Sequence, residues 1–223
     1  MKLLAAALHR RWLRRRDYAE PMQSLLSSPP PANKPFRETE LVSLDIETTG
    51  LDPATAEVLS IGWVLVRHNR VAVDSAKRCI VQPETAVGDS AAVHGLTDTV
   101  CAGGLPLRQV LDQVVTALAG RSLLVHHAGL DKRLLDRVCR RHYGAPLAVP
   151  VVDTLALELR RRRRRAQSSK GDALRLVRLR EHYNLPYYAG HDCLADALAT
   201  AELMLAMVAT HGSASSTRLA DLL

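Results

Sequence analysis

The chain has 223 residues, 47% of them apolar, which is enough for one domain with a sizeable core and too apolar for wholesale disorder. Lys and Arg outnumber Asp and Glu by 30 to 23, and the resulting charge of +7 suits a polyanionic partner without demanding one. No apolar run approaches the roughly 20 residues that span a bilayer, and the four cysteines (Cys79, Cys101, Cys139, Cys193) form no C-x-x-C pair, which argues against a zinc ribbon and for reduced thiols in a cytoplasmic protein.

Leu4, Ala7, Leu8 and Trp12 recur near helical spacing and predict a short basic amphipathic helix within residues 1–20. Its apolar stretch precedes the arginines, the reverse of an export signal, although an Arg-rich start with few acids also has the composition of a mitochondrial transit peptide. Ser27-Ser28-Pro29-Pro30-Pro31 breaks any helix and reads as a linker. The expected organisation is a basic extension and Pro-rich linker over 1–37, a folded domain over 38–211 and a loose, Ser-rich tail over 212–223.

Leu41 to Ile46 is a short apolar run of β character that ends in the turn signal Glu47-Thr48-Thr49-Gly50. Val58 to Val66 and Val71 to Val81 are two further strands, joined tightly by His68-Asn69-Arg70, so the first three strands should form an antiparallel meander. Helix is expected over 106–119 and 130–142, with short strands over 123–126 and 149–152 between and after them. Helices over 153–162, 173–183 and 192–210 come next, the last with Leu194, Leu198, Ala201, Leu205 and Val208 on one stripe. A meander followed by alternating helix and strand predicts an α/β fold: a mixed sheet flanked by helices.

Asp45-Ile46-Glu47 carries the first chemistry. Residues two apart on a strand face the same way, so both carboxylates project together while Ile46 enters the core. Two acids so placed repel each other, and a divalent cation resolves the conflict; oxygen ligands favour Mg²⁺ or Mn²⁺ over zinc. Asp131 at the start of one helix and Asp196 early in the last would each be unremarkable alone. His191 lies five residues before Asp196, about 140° away on an ideal helix. For both to reach one site, His191 must lie on the loop that enters the helix, where an imidazole is well suited to take a proton from water.

Taken in order, Asp45-Ile46-Glu47-Thr48-Thr49-Gly50, His126-His127-Ala128-Gly129-Leu130-Asp131 and His191-x-x-x-x-Asp196 resemble the three exonuclease motifs of the DEDD superfamily. The branch they resemble is the histidine-bearing one, which includes the proofreading (epsilon) subunit of bacterial DNA polymerase III. Val93-His94-Gly95-Leu96-Thr97 and Val152-Asp153-Thr154-Leu155 resemble two further segments of that family, and the likeness spans about residues 40–208. The second motif departs from the family's usual His-Asn and Phe, with His127 and Leu130 in those places.

The resemblance implies a ribonuclease H-like fold and a 3′→5′ exonuclease that releases nucleoside monophosphates, with DNA favoured over RNA. It implies two Mg²⁺ or Mn²⁺ ions at Asp45, Glu47, Asp131 and Asp196, and His191 as general base. Thr48, Thr49, Leu51, His94, His126 and His127 would contact substrate. Single-stranded or frayed 3′ ends of DNA are the expected partners, RNA being the alternative; a polymerase or repair partner could dock on the N-terminal extension, and no membrane is expected. Arg160 to Arg165, six arginines in a row, read either as a solvated helix end or as a contact for the phosphate backbone, the latter slightly favoured.

Overall fold

The computed structural model describes residues 2–31, 33–166 and 171–223, with side chains from position 8 onward. Among the described residues, five strands make one sheet: β1 (Leu41–Thr48), β2 (Val58–Arg67), β3 (Arg70–Ile80), β4 (Ser122–Val125) and β5 (Val151–Asp153), in the order β3-β2-β1-β4-β5. β1, β2 and β3 pair antiparallel, and β4 and β5 add parallel to β1. This is the expected meander with parallel strands beside it. His68 and Asn69 both take positive φ (54° and 58°), as a two-residue hairpin of matching twist requires. β3 forms one edge of the sheet and turns Arg70, Asp74, Lys77 and Arg78 to solvent.

The helices around the sheet are α1 (Lys2–Leu13), α2 (Met22–Ser27), α3 (Ala91–His94), α4 (Asp98–Ala102), α5 (Leu107–Leu118), α6 (Ala128–Tyr143), α7 (Thr154–Arg164), α8 (Leu176–His182), α9 (Cys193–His211) and α10 (Leu219–Leu222). The two faces of β1 divide the core. Val42, Leu44 and Ile46 pack with α2, α5 and α6, whereas Leu41 lies with α9 and α10. Ser43, also on the α9 face, donates its hydroxyl proton to the Ala197 carbonyl at 2.7 Å. Residues 91–102, unassigned by periodicity, form α3 and α4, which are too short to show one. Gly95 (φ 70°) ends α3 in the left-handed region, and the Thr97 hydroxyl accepts the Val100 N–H to start α4.

Three expectations change. The segment expected to be an extension and linker contributes to the main core: Met22, Leu25 and Leu26 are fully buried there, with Leu13. Of the proposed helical stripe, Leu4 and Ala7 lie outside the described side chains, and Leu8 and Trp12 are 57% and 50% exposed. α1 docks instead through Leu13 and Arg10. The buried Arg10 guanidinium donates to four backbone carbonyls, those of Leu26 (3.0 Å), Ser28 (3.0 Å), Ala148 (3.3 Å) and Leu25. The tail is likewise packed: Leu219 and Leu222 are buried, and Arg160 holds the Leu222 and Leu223 carbonyls at 3.1 and 2.8 Å. Finally, α9, with 19 residues, does reach membrane-spanning length and composition, because a helix that lies across a sheet is apolar for the same reason. It carries Asp196 and Glu202 and packs on β1 and β2.

Arg10→Ala should leave four carbonyls short of a donor and detach α1 from α2. The expected cost is about 2–4 kcal/mol, read as a lower urea midpoint at unchanged slope. A midpoint equal to that of the parent would mean that α1 contributes nothing to folding.

Candidate active site

The site forms where β1 ends beneath the start of α9. Asp45 and Glu47 project from β1 toward α9, and Asp196 comes down from the first turn of that helix. Carboxylate oxygens of these three lie within 4.8 Å of one another. The fourth acid, Asp131 in the first turn of α6, is 5% exposed and stands just outside that group. Among the described residues no Lys or Arg forms an ion pair with any of the four.

Their proton affinities register this crowding. Burial, then Asp131, Asp196 and Glu47, push Asp45 well above the usual carboxylate range. Burial, then Asp196, raise Glu47 to about 7. Burial, then Asp153 and Glu47, raise Asp131 to about 8. Asp196 is raised by burial, although the His191 N–H opposes the shift. Hard-oxygen donors so gathered fit Mg²⁺ or Mn²⁺, which would relieve repulsion that Arg78 near Glu47 and Arg180 near Asp196 offset only in part.

Two aspartates aim the helices that carry the acids. Asp192 caps α9, accepting the N–H groups of Leu194 and Ala195 at 3.0 Å each, and its other oxygen pairs with Arg78 at 3.0 Å. Asp153 caps α7 through Leu155 (3.0 Å) and Ala156 (3.2 Å). It also accepts the N–H groups of His127 (3.1 Å) and Ala128 (2.9 Å), and so holds the start of α6 and, with it, Asp131. His127, at φ 78°, occupies the strained residue of that turn.

His191 lies on the loop before α9, as expected, exposed and at φ 68°. Its N–H donates to Asp196 Oδ2 at 2.9 Å, which ties the loop to the carboxylates. Thr48 follows a β-bulge and donates to the Gly50 carbonyl at 2.6 Å, and Thr49 is pinned to Glu57 by its N–H and its hydroxyl (3.0 and 2.9 Å). Leu51 is 85% exposed. His94 accepts the Leu96 N–H at Nδ1 (3.2 Å) and keeps Nε2 without a partner. His127 is exposed beside the groove, whereas His126 bonds Thr154 Oγ1 (2.8 Å) and the Leu174 carbonyl (3.0 Å), so both its ring nitrogens are used within the chain.

Leu51, His126, His127, Arg175, Arg178, Tyr187, His191 and Asp196 line a groove of about 1620 Å³, to which Thr48, Thr49 and His94 contribute no wall. Tyr187, 76% exposed, is a wall that sequence reasoning missed. Its one signal was position, an aromatic pair in the Pro186-Tyr187-Tyr188-Ala189-Gly190 loop that leads to His191. The arginine run does not line this groove. The groups that abut the site belong to the start of α7, and Arg163 to Arg165 lie about 15 Å further along the helix. Arg160 holds the C-terminal carbonyls, while Arg161 (2.5 Å) and Arg162 (2.7 Å) grip the fully buried Glu158. Burial would lift that carboxyl, but hydrogen bonds from Arg161, Arg162 and Tyr183 outweigh it and hold the group at about 2.

A family model for exonucleases, RNase T, matches residues 42–204. The "DNA polymerase III PolC-type" of Thermotoga petrophila is 27% identical over 84% of this chain, and the match spans 13% of that protein. A "DNA polymerase III subunit epsilon-like protein" of Rhodobacter capsulatus is 28% identical over 79% of the chain and 25% of its own length. In fold, the chain is similar to exonuclease I of E. coli, solved with a 5cy-dT13 oligonucleotide (TM-score 0.67, 14% identity, 78% of this chain and 41% of that one). Exonuclease I of Methylocaldum szegediense is equally close (TM-score 0.66, 16% identity, 78% and 41%).

A carboxyl whose pKa rises on folding favours the fold while protonated, below its unfolded value of 4.5 for Glu47, and opposes it as pH climbs through about 7. Metal-free protein should therefore carry a penalty at pH 8 that is absent at pH 5. Asp45→Asn should raise its melting temperature in EDTA at pH 8, by about 2–4 °C per kcal/mol relieved, with little change at pH 5. The same variant should lose most of the stabilisation that Mn²⁺ confers on the parent. A melting temperature below the parent's at pH 8 would show that these acids do not oppose one another.

Proposed function

Since the chain belongs to the exonuclease family whose model its residues 42–204 match, we propose that it is a metal-dependent 3′→5′ exonuclease. It releases nucleoside monophosphates from the 3′ end of a nucleic-acid strand, DNA ahead of RNA. The observation that carries this reading is the convergence of Asp45, Glu47 and Asp196 within 4.8 Å beside the His191 loop. The two relatives, named as DNA polymerase III proteins, support DNA as the substrate.

Asp45, Glu47 and Asp196 would hold a pair of Mg²⁺ or Mn²⁺ ions, with Asp131 at the margin of the second. Bound there, such ions offset the charge that gathers on the phosphoryl group during in-line displacement. The chain's own residues do the rest. His191 removes the proton from the attacking water, and Asp196, hydrogen-bonded to the His191 backbone, keeps the imidazole at the carboxylates. Thr48 and Thr49, fixed by their bonds to Gly50 and Glu57, present the β1 turn to the terminal nucleotide. Leu51 and Tyr187 offer apolar surface to its base and to the next, and His94, its Nε2 buried and facing the Thr48 backbone, steadies the turn that carries Thr48 and Thr49. His126 supports the groove wall instead of touching substrate, since both of its ring nitrogens are already bonded.

A second reading, docking to a polymerase or repair protein, draws on α1, which turns Leu8 and Trp12 outward with Arg16 stacked 4.6 Å from the indole. It is compatible with the first.

Oligonucleotides labelled at either end, in DNA and RNA, should be shortened from the 3′ end in Mg²⁺ or Mn²⁺ and left intact in EDTA, DNA faster than RNA. Release from the 5′ end, or cleavage unaffected by chelation, would overturn the reading. His191→Ala should keep the Mn²⁺-induced rise in melting temperature and lose about 10²- to 10⁴-fold in kcat. Full single-turnover activity in that variant would remove His191 as the base. Tyr187→Ala should raise KM several-fold with kcat little changed, the loss expected of one stacked base.

A further inference from the structure

The loop between α8 and α9 has two jobs that conflict. It must leave His191 free enough to meet a substrate, yet place it within reach of the carboxylates. Its far end is tied down by the bond from the His191 N–H to Asp196. Its near end is tied by a group that takes no part in the hydrolysis itself. Arg180 of α8 is 3% exposed, and its guanidinium donates to the Ala199 carbonyl (2.8 Å), the Pro186 carbonyl (2.9 Å) and Glu202 Oε2 (2.8 Å). Its Cζ lies 4.3 Å from the centre of the Tyr188 ring. The Tyr188 hydroxyl donates to the other Glu202 oxygen at 2.9 Å.

One carboxylate therefore holds an arginine and a tyrosine at once, and the arginine also covers the tyrosine face. Ala199 and Glu202 stand one and two turns beyond Asp196 on α9, so the loop is set against the very helix that carries a metal-binding acid. Only Ala189 and Gly190 separate Tyr188 from His191. Tyr188 is half-buried, and both it and the exposed Tyr187 line the groove.

We propose that Arg180, Glu202 and Tyr188 form a clamp that positions His191 for hydrolysis, which makes Tyr188 and Arg180 positioning residues of this active site. The proposal rests on His191 as the base. A clamp that served only the fold would cost stability and leave turnover alone. A clamp that aims the base costs turnover, while substrate binding and metal binding persist.

The test is a double-mutant cycle on the full chain. Tyr188→Phe keeps the ring over Arg180 and removes only its bond to Glu202. It should lower kcat about tenfold, the effect of a modest misplacement, with KM and the Mn²⁺-induced rise in melting temperature unchanged. Added to His191→Ala, it should cost nothing further, because a base that is absent has no position to lose. Glu202→Gln, which keeps the shape and loses the charge, should show the same pattern and serves if Tyr188→Phe proves poorly folded. Unchanged kcat in a folded Tyr188→Phe or Glu202→Gln protein overturns the clamp. So does an equal loss on top of His191→Ala, which would place the effect elsewhere. Full activity of His191→Ala alone brings down the base assignment itself, and the single variant reports that separately from the cycle.

Discussion

The site depends on a place where the chain has no side chain. Gly62 of β2 stands opposite Asp45 in the strand register, and a Cβ there would come within 2.4 Å of the Leu194 nitrogen and 2.5 Å of the Cys193 carbonyl carbon. No other residue fits without moving α9. Bare backbone lets the first turn of α9 settle directly on the sheet, and that approach is what brings Asp196 down to Asp45 and Glu47. The neighbouring positions on the same face are small and polar for the same reason. The Ser43 hydroxyl bonds the Ala197 carbonyl (2.7 Å) and the Ser60 hydroxyl lies 3.2 Å from Cys193 Sγ, so the helix is seated by short contacts in place of interdigitated large side chains.

Close seating creates an electrostatic problem that the fold offsets only in part. Four acids are gathered at one end of the sheet, their proton affinities raised by burial and by each other. Elsewhere the chain neutralises buried charge with care: Glu158 has two arginines, and Arg180 has Glu202. The contrast marks the acids as a site for an outside cation. The scaffold is rigid where ligands must not move, since the acids come from a strand and from the first turns of two capped helices. His191 alone of the five sits on a loop, anchored at both ends.

Much of this was legible in the sequence because it depends on local rules. The period of two in Asp45-Ile46-Glu47 places both acids on one face whatever the rest of the chain does, and the five-residue step from His191 to Asp196 puts the histidine off the helix. Strand alternation indicated the sheet, but the expected α9 stripe was only part of its cover: Ala201 and Val208 are buried, whereas Leu194, Leu198 and Leu205 are half-buried and Cys193, Ala197 and Met204 are buried in their place. What was not legible depends on packing between distant segments. Arg10 reads as one of several N-terminal arginines, and nothing local says that it will hold four carbonyls and carry Met22, Leu25 and Leu26 into the core. Asp153 reads as a helix start and is also the clasp for another helix 25 residues earlier. The six-arginine run looked like one feature, and Glu158, buried and one turn back, divides it into a structural part and a solvated part.

The exposed edge of the sheet has a consequence of its own. β3 offers 11 residues of backbone along one side, a length on which a second copy could add a strand. Leu105 covers only the end of β3, donating its N–H to the Ile80 carbonyl at 2.9 Å and accepting the Gln82 N–H at 3.0 Å. Arg70, Asp74, Lys77 and Arg78 line the rest, and a strand laid alongside would have to strip their water and, in an in-register pair, set like charge against like. The protein is thereby discouraged from sticking to itself, and the same arginine that braces the cap of α9 stands guard on that border.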